Sequence, residues 1–222
     1  MGLYAVLVRA TYHLSHINEL PTLLMRPKVL VLAALPSVAY AITVPLVKNP
    51  KSPPLKLSEE TAVKLTQFTL LTQFAANLPM PLILAPGSPA IEDVLIGMLL
   101  LDTVEYFMHR ACHSSRTLYS LAHATHHSIS MKPELAMYNS SVEAGFVGSM
   151  VLLVFAITDI GFSSFIVVQT LASVKTVWDH SQYSKHHLQH HLQPFSNYEQ
   201  PFFDIWDRLL GTKEPMNVPS SS

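Results

Sequence analysis

Apolar residues in this chain fall in long uncharged blocks, with the polar residues gathered between them. Val29 to Val47 carries no charge. A membrane-spanning helix needs roughly 20 predominantly apolar residues, so this block predicts a first span. Pro36 and Pro45 lie inside it and predict kinks, which membrane helices tolerate; a broken or re-entrant segment is the other reading. Lys48 to Glu60, rich in Pro and Lys, predicts an exposed loop. Leu65 to Ala85 is again uncharged and predicts a second span, ending among Pro79, Pro81 and Pro86. After a Pro86–Pro89 turn, Ile91 to Met108 predicts a third. This one carries Glu92, Asp93, Asp102 and Glu105. Carboxylates at membrane depth are costly and normally face a protein interior or a polar cavity.

The last apolar block, Ala144 to Val174, contains one charge, Asp159. As a single straight helix it would be about 45 Å long, against a hydrocarbon core of roughly 30 Å. Two shorter helices turning near Asp159-Ile160-Gly161 fit better. Such a hairpin returns the chain to the membrane face it left. The expected fold is therefore all-α: an integral membrane helical bundle of about four to five membrane helices with a cytosolic helical cap. Residues 1–28 read as an N-terminal interfacial segment and 29–222 as one domain.

Composition agrees with that reading. Of 222 residues, 49% are hydrophobic and only 13% charged, and mean hydropathy is +0.29; soluble globular proteins carry about 25% charged residues. A net charge of −1 leaves no broad basic surface for nucleic acid. The single cysteine, Cys112, excludes an intrachain disulfide framework. The N-terminus lacks the charged start and cleavage site of a secretory signal, so membrane targeting is expected from the spans themselves.

Histidine changes the picture most. Ten of the 12 histidines fall between His109 and His191. They read His109-x-x-x-His113, His123-x-x-His126-His127 and His186-His187-x-x-His190-His191, with His180 ahead of the third cluster. Spacings of three and four place the rings of one cluster on one helix face, and His180, Tyr183 and His187 continue the third face upstream. A lone HxxxH is more often incidental than a ligand pair. Three clusters in one small apolar chain are not, and neutral imidazole ligates Fe, Zn, Cu and Ni. Four ligands satisfy one structural zinc, so eight to ten histidines imply two ions. The flanking Arg110, Arg116, Lys132, Lys175, Lys185, Arg208 and Lys213 favour a cytosolic location for the clusters, although Arg26 and Lys28 do not follow that bias.

Asp102, Glu105 and Tyr106 precede His109 by seven, four and three positions and share its face. A metal-bound histidine usually donates its other ring N–H to a carboxylate or carbonyl, so these residues, and Asp179 beside His180, are candidate supports; Asp179 could equally cap a helix. His13 and His16 read as surface residues without a role, and Trp178 and Trp206 as interfacial anchors. A membrane metal transporter or sensor is the competing reading, but its ligands would sit at mid-membrane in broken helices. A non-catalytic metal-binding relative is the third.

The residues also resemble a known family. Asp102 to His113 (DTVEYFMHRACH) is similar to the entry motif of the sterol desaturase and fatty acid hydroxylase superfamily. His123 to Ser128 resembles its second histidine box, Asp179 to Tyr183 the segment with an isolated histidine, and His186 to His191 its third box. Asn197 to Glu199 and Trp206 to Thr212 resemble its closing elements, so the likeness runs from about 91 to 212. Asp179 and Glu199 stand where many members carry glycine, and Ser140–Glu143 replaces an H-P-x-E stretch; no box histidine is lost. The resemblance implies a non-haem centre of two Fe ions held by His109, His113, His123, His126, His127, His180, His187, His190 and His191, with His186 as a further candidate. It implies O2 as co-substrate and hydroxylation, demethylation or desaturation of a lipid-like substrate. Electrons would come from NAD(P)H through a cytochrome b5-type or similar carrier, since the chain has neither a Rossmann fingerprint nor a CxxC motif. The endoplasmic reticulum membrane is the expected location in a eukaryote.

Overall fold

The structure, a computed structural model, describes residues 25–49, 55–198 and 201–215, with a few isolated positions before them. His13 and His16 and most of the 1–28 segment lie outside the described residues. Among the described residues every regular element is helical.

Helix α1, Pro27–Val47, starts with proline in its first turn, where the missing N–H is no loss, and contains Pro36 and Pro45. Side chains brace it against α2, Leu57–Asn77. Ser37 Oγ donates to the Leu70 carbonyl at 2.9 Å and Asn77 Nδ2 to the Ala33 carbonyl at 3.3 Å. The N-terminus of α2 falls inside the predicted 48–60 loop, because Glu59 accepts the Lys56 N–H at 2.8 Å and closes a cap there. Glu59 also takes Lys132 Nζ at 2.9 Å and the Ser130 hydroxyl, tying this end to a distant loop. The helix ends at Asn77, not in the 80s, because Pro79 and Pro81 follow; Met80–Leu82 forms only a 3-10 turn.

Helix α3, Ile91–Ser114, runs unbroken from the apolar block into the first histidine cluster. Glu92 and Asp93 occupy its first turn, where acidic side chains complement the helix dipole. The hairpin is present: α6, Ser141–Ile157, and α7, Phe162–Asp179, flank a turn in which Asp159 has φ 61°. Asp is one of the few non-glycine residues that visit this left-handed region. The core sits where α3 meets both arms of the hairpin, around Leu101, Phe155, Phe165, Ile166 and Val168. Gly97 permits the close approach, since a Cβ there would lie 3.0 Å from Val168 Cγ2 and 3.1 Å from the Phe155 ring. On the other side, α7 packs along α1.

Between α3 and the hairpin lie α4 (Arg116–Leu118), a π turn at Tyr119–His123, α5 (Ala124–His127) and a 3-10 turn at Pro133–Leu135. After it come α8 (His186–Leu192) and α9 (Ile205–Leu209). These short pieces make up the cap, gathered at one end of the long helices. By length and composition only α1 is long and apolar enough to cross a membrane among the described residues, and α6 is a shorter apolar helix. The four to five membrane helices expected from the sequence are thus reduced to one clear candidate. The polar ends of α2 and α3 lower their hydropathy below that of α1.

Candidate metal centre

The last two turns of α3 carry His109 and His113, whose ring centres are 5.0 Å apart. The π turn then supplies His123. A turn of this kind widens the helix locally and often sits at functional sites. The α6 N-terminus fixes that ring. Ser140 caps the helix by accepting the Glu143 N–H at 3.1 Å, and Glu143 Oε1 meets His123 Nδ1 at 2.6 Å. His126 and His127 follow on α5. His180 caps the C-terminus of α7, with Nδ1 2.9 Å from the Thr176 carbonyl oxygen. His187, His190 and His191 lie on α8, and His190 Nδ1 is 2.9 Å from the Ser196 carbonyl oxygen.

These nine histidines form two groups. His109, His113, His123, His127 and His190 make one; His126, His180, His187 and His191 make the other. Within each group the ligand nitrogens lie within 4.8 Å of one another. The second and third clusters are each split between the groups. Adjacent helical residues point about 100° apart, so His126 and His127, like His190 and His191, face different centres. The third face is also not one continuous helix. Residues 181–185 form a turn, and Tyr183 stacks on exposed Trp178 with ring centres 5.2 Å apart.

The inward nitrogens test whether a metal fits. A carbonyl or carboxylate oxygen only accepts, so Nδ1 of His123, His180 and His190 carries the proton and each Nε2 presents a lone pair. Those Nε2 atoms nevertheless face other Nε2 atoms: His123 to His127 at 3.0 Å, His190 to His113 at 3.1 Å and His180 to His187 at 3.1 Å. One such pair can share an N–H···N bond, but Nε2 of His126, His180 and His187 close a triangle with sides of 3.5, 3.4 and 3.1 Å, in which at least one contact must join like partners unless a cation lies between them. A metal about 2.0–2.1 Å from each nitrogen places neighbouring ligands about 3.0–3.4 Å apart, which is the spacing found. The buried His109 Nε2, without a hydrogen-bond partner among the described residues, adds an orphaned donor atom to the first group. The donor set fits two ions.

Electrostatics points the same way. Burial first, and then repulsion from neighbouring histidines, pushes His126 down to about 4, His180 to about 3 and His127 to about 2. The rings stay neutral and keep their lone pairs for a metal.

The other candidates have different tasks. Asp102, expected to support His109, accepts the Phe202 and Phe203 N–H groups at 3.0 and 2.8 Å instead. Tyr106 bonds Thr212 Oγ1 at 2.9 Å and accepts from Arg110 Nη1 at 3.0 Å. Asp179 neither caps a helix nor supports a histidine; it pairs with Lys175 and accepts from Ser184 Oγ at 3.0 Å. His186 lies outside both groups, with Nε2 3.9 Å from Asp207 Oδ2. Trp206 packs on Tyr106 and Phe107 and donates to Thr103 Oγ1 at 3.0 Å, so it braces α3. The closing motifs form a strap: Asn197 holds the Glu214 backbone, and Asp207 takes the Tyr198 N–H and the Thr212 hydroxyl. The residue missed from sequence is Glu143, although Ser140-x-x-Glu143 is a recognisable helix-start pattern.

A cavity of about 640 Å³ reaches the histidines from among the long helices. Its walls are largely apolar, with Phe68, Leu101, Val151 and Phe165 among them, and it ends at His109, His123, His126, His180 and His187. Glu105 and Glu143 also face it.

A family profile, Fatty acid hydroxylase, matches residues 94–212. The chain belongs to that family. This fatty acid hydroxylase family member is 32% identical over 142 residues to the very-long-chain aldehyde decarbonylase GL1-9 of Oryza sativa subsp. japonica, covering 56% of this chain and 55% of that protein. It is 28% identical over 169 residues to the sphingolipid C4-hydroxylase sur2 of Schizosaccharomyces pombe, covering 64% and 57%. It is 32% identical over 145 residues to the sphinganine C4-monooxygenase 1 of Arabidopsis thaliana, covering 57% and 56%. The chain thus spans a little over half the length of these relatives. No solved structure matches it.

Proposed function

We propose that this chain is a membrane-bound, iron-dependent oxygenase that hydroxylates a lipid-like substrate. The observation that carries the reading is the convergence of nine histidines into two groups at the wall of an apolar cavity. Hydroxylation is preferred to desaturation or demethylation because two of the relatives above are named for it. A transporter needs a path for the ion through the membrane, whereas here the cavity leads to the histidines through apolar walls.

Bilayer placement follows from the outer surfaces of the long helices. Val31, Ile42 and Leu46 on α1, Leu71 on α2, Ile96 on α3 and Leu153 on α6 are exposed, an apolar surface that water does not tolerate over so wide an area. Its expected home in a eukaryote is the endoplasmic reticulum, with the cap in the cytosol.

Iron bound by the two groups supplies the oxidising chemistry, with O2 as co-substrate and electrons from NAD(P)H through a cytochrome b5-type carrier. The chain's own residues do the rest. Glu143 and the Thr176 and Ser196 carbonyls hold three Nδ1 protons, so the opposite nitrogens stay aimed inward. The apolar walls orient the substrate carbon chain and exclude water from the reacting end. Glu105, one turn before His109, brings a carboxylate to that end of the cavity. For hydroxylation one oxygen atom enters the C–H bond and the other leaves as water, balanced by electrons from the carrier and protons from solvent.

The test is oxygen uptake by iron-loaded protein in nanodiscs, with a chemical reductant and a panel of sterol, fatty acyl and sphingoid lipids. Uptake that depends on iron, reductant and one lipid class, with a product one oxygen heavier, is expected. Uptake indifferent to every lipid, with no oxidised product, would overturn the reading.

A further inference from the structure

Several polar side chains on the walls of the cavity are spent on the protein itself, as Thr69 is on the Leu65 carbonyl at 3.1 Å and Thr72 on the Thr69 carbonyl at 2.8 Å. Asn77 is bonded to the Ala33 carbonyl. Helical hydroxyls elsewhere follow the usual habit of bonding the carbonyl four residues back, as Thr170 does to Ile166 at 2.7 Å and Thr66 to Ala62 at 3.0 Å. Apart from Glu143 and the histidines of the metal centre, two cavity-lining groups depart from this. Ser173, on α7 and only 1% exposed, has an Oγ without a hydrogen-bond partner among the described residues. Gln73, on α2, buries its Oε1 in the same condition. Both lie on the wall of that cavity, on different helices.

A buried polar atom left unpaired is costly, and native proteins rarely keep one without a use for it. Two of them facing one apolar chamber call for a ligand that satisfies both. Gln73 Oε1 accepts only, so its partner must carry an O–H or N–H. Ser173 Oγ both donates and accepts. We infer that Gln73 and Ser173 determine substrate specificity by hydrogen-bonding a hydroxyl or amino group on the lipid, so that a plain hydrocarbon chain is discriminated against. This rests on the cavity being the lipid site of the proposed oxygenase. Ser173 precedes His180 by seven residues, about 10 Å along the helix. Ser173 is therefore set back from His180, and the two residues act on binding and placement of the lipid, not on oxygen.

The experiment uses the full chain, without iron, in nanodiscs. Binding of tritiated octadecan-1-ol is compared with that of octadecane, which differs from it by one hydroxyl. The wild type should favour the alcohol by about tenfold. Gln73→Met and Ser173→Ala should each bring that ratio towards one while leaving octadecane affinity unchanged. Their ligand-free melting temperatures should hold or rise, because each removes an unpaired buried atom; a group serving the fold would lower them on removal. A ratio unchanged in both variants, or no preference in the wild type, overturns the inference. Because binding is read without iron, failure of the oxygenase reading shows separately, as absent reductant-dependent oxygen uptake in protein that still prefers the alcohol.

Discussion

Glu143 shows how much one side chain outside the ligand set can matter. Its carboxylate fixes His123 through Nδ1 at 2.6 Å, and Ser140 fixes Glu143 in turn. Supports of this kind are typically worth 10- to 100-fold, by order of magnitude about that much, in metal affinity or activity. Glu143→Gln should therefore weaken iron binding by roughly 10–100-fold while leaving the circular dichroism spectrum unchanged; iron titration checks it, and an unaltered affinity would mean the contact is incidental. The three histidine clusters were readable from their spacing, whereas the set of nine, with His180 in and His186 apart, came from the family resemblance. The division of the second and third clusters between two groups was not readable, because it depends on where each short helix starts and on the π turn that carries His123. Two of the three supports are backbone carbonyls, of Thr176 and Ser196, to which no residue type points. Asp102 misled for a related reason: helical spacing put it on the His109 face, but the 202–203 backbone reaches it first.

At the scale of elements, the long helices set the cavity and the strap closes the cap. Gly97 lies where α3 comes closest to the hairpin, so Gly97→Leu forces a side chain into Val168 and Phe155. Overpacking of this sort costs about 1–3 kcal/mol, and thermal melts should show the loss; a neutral result would mean the helices part easily. Asp102→Ala removes the acceptor for two backbone N–H groups and leaves them short of partners, a cost of about 1–3 kcal/mol for each buried group. Limited proteolysis should then cut near 202–203, which it spares in the wild type. The hairpin at 158–161 was legible from length alone, since 31 apolar residues overfill a bilayer as one helix. The boundaries of α2 were not: a Glu59 cap starts it inside a Pro- and Lys-rich stretch, and Pro79 ends it early. By length and composition only α1 stands as a clear span among the described residues, so the count of four to five is not reached by that measure.

The molecule as a whole joins an apolar body to a histidine-rich cap, and its response to acid follows from that. His126 and His180 lie at about 4 and about 3 in the folded chain, against about 6.5 in an unfolded one. The unfolded state thus binds protons more readily below neutrality. These groups contribute their full stability above about pH 6.5 and lose it as pH falls towards their folded values. Metal-free protein should melt at a lower temperature at pH 5 than at pH 7.5; an equal melting temperature would mean that the rings are not buried as described. The proposed two-iron centre, one ion in each histidine group, is checked most directly by the iron content per chain. Two irons are expected in purified wild-type protein, and one remaining in each of His113→Ala and His187→Ala, which disable different groups. A single iron in the wild type, or variants that both keep two, would contradict it.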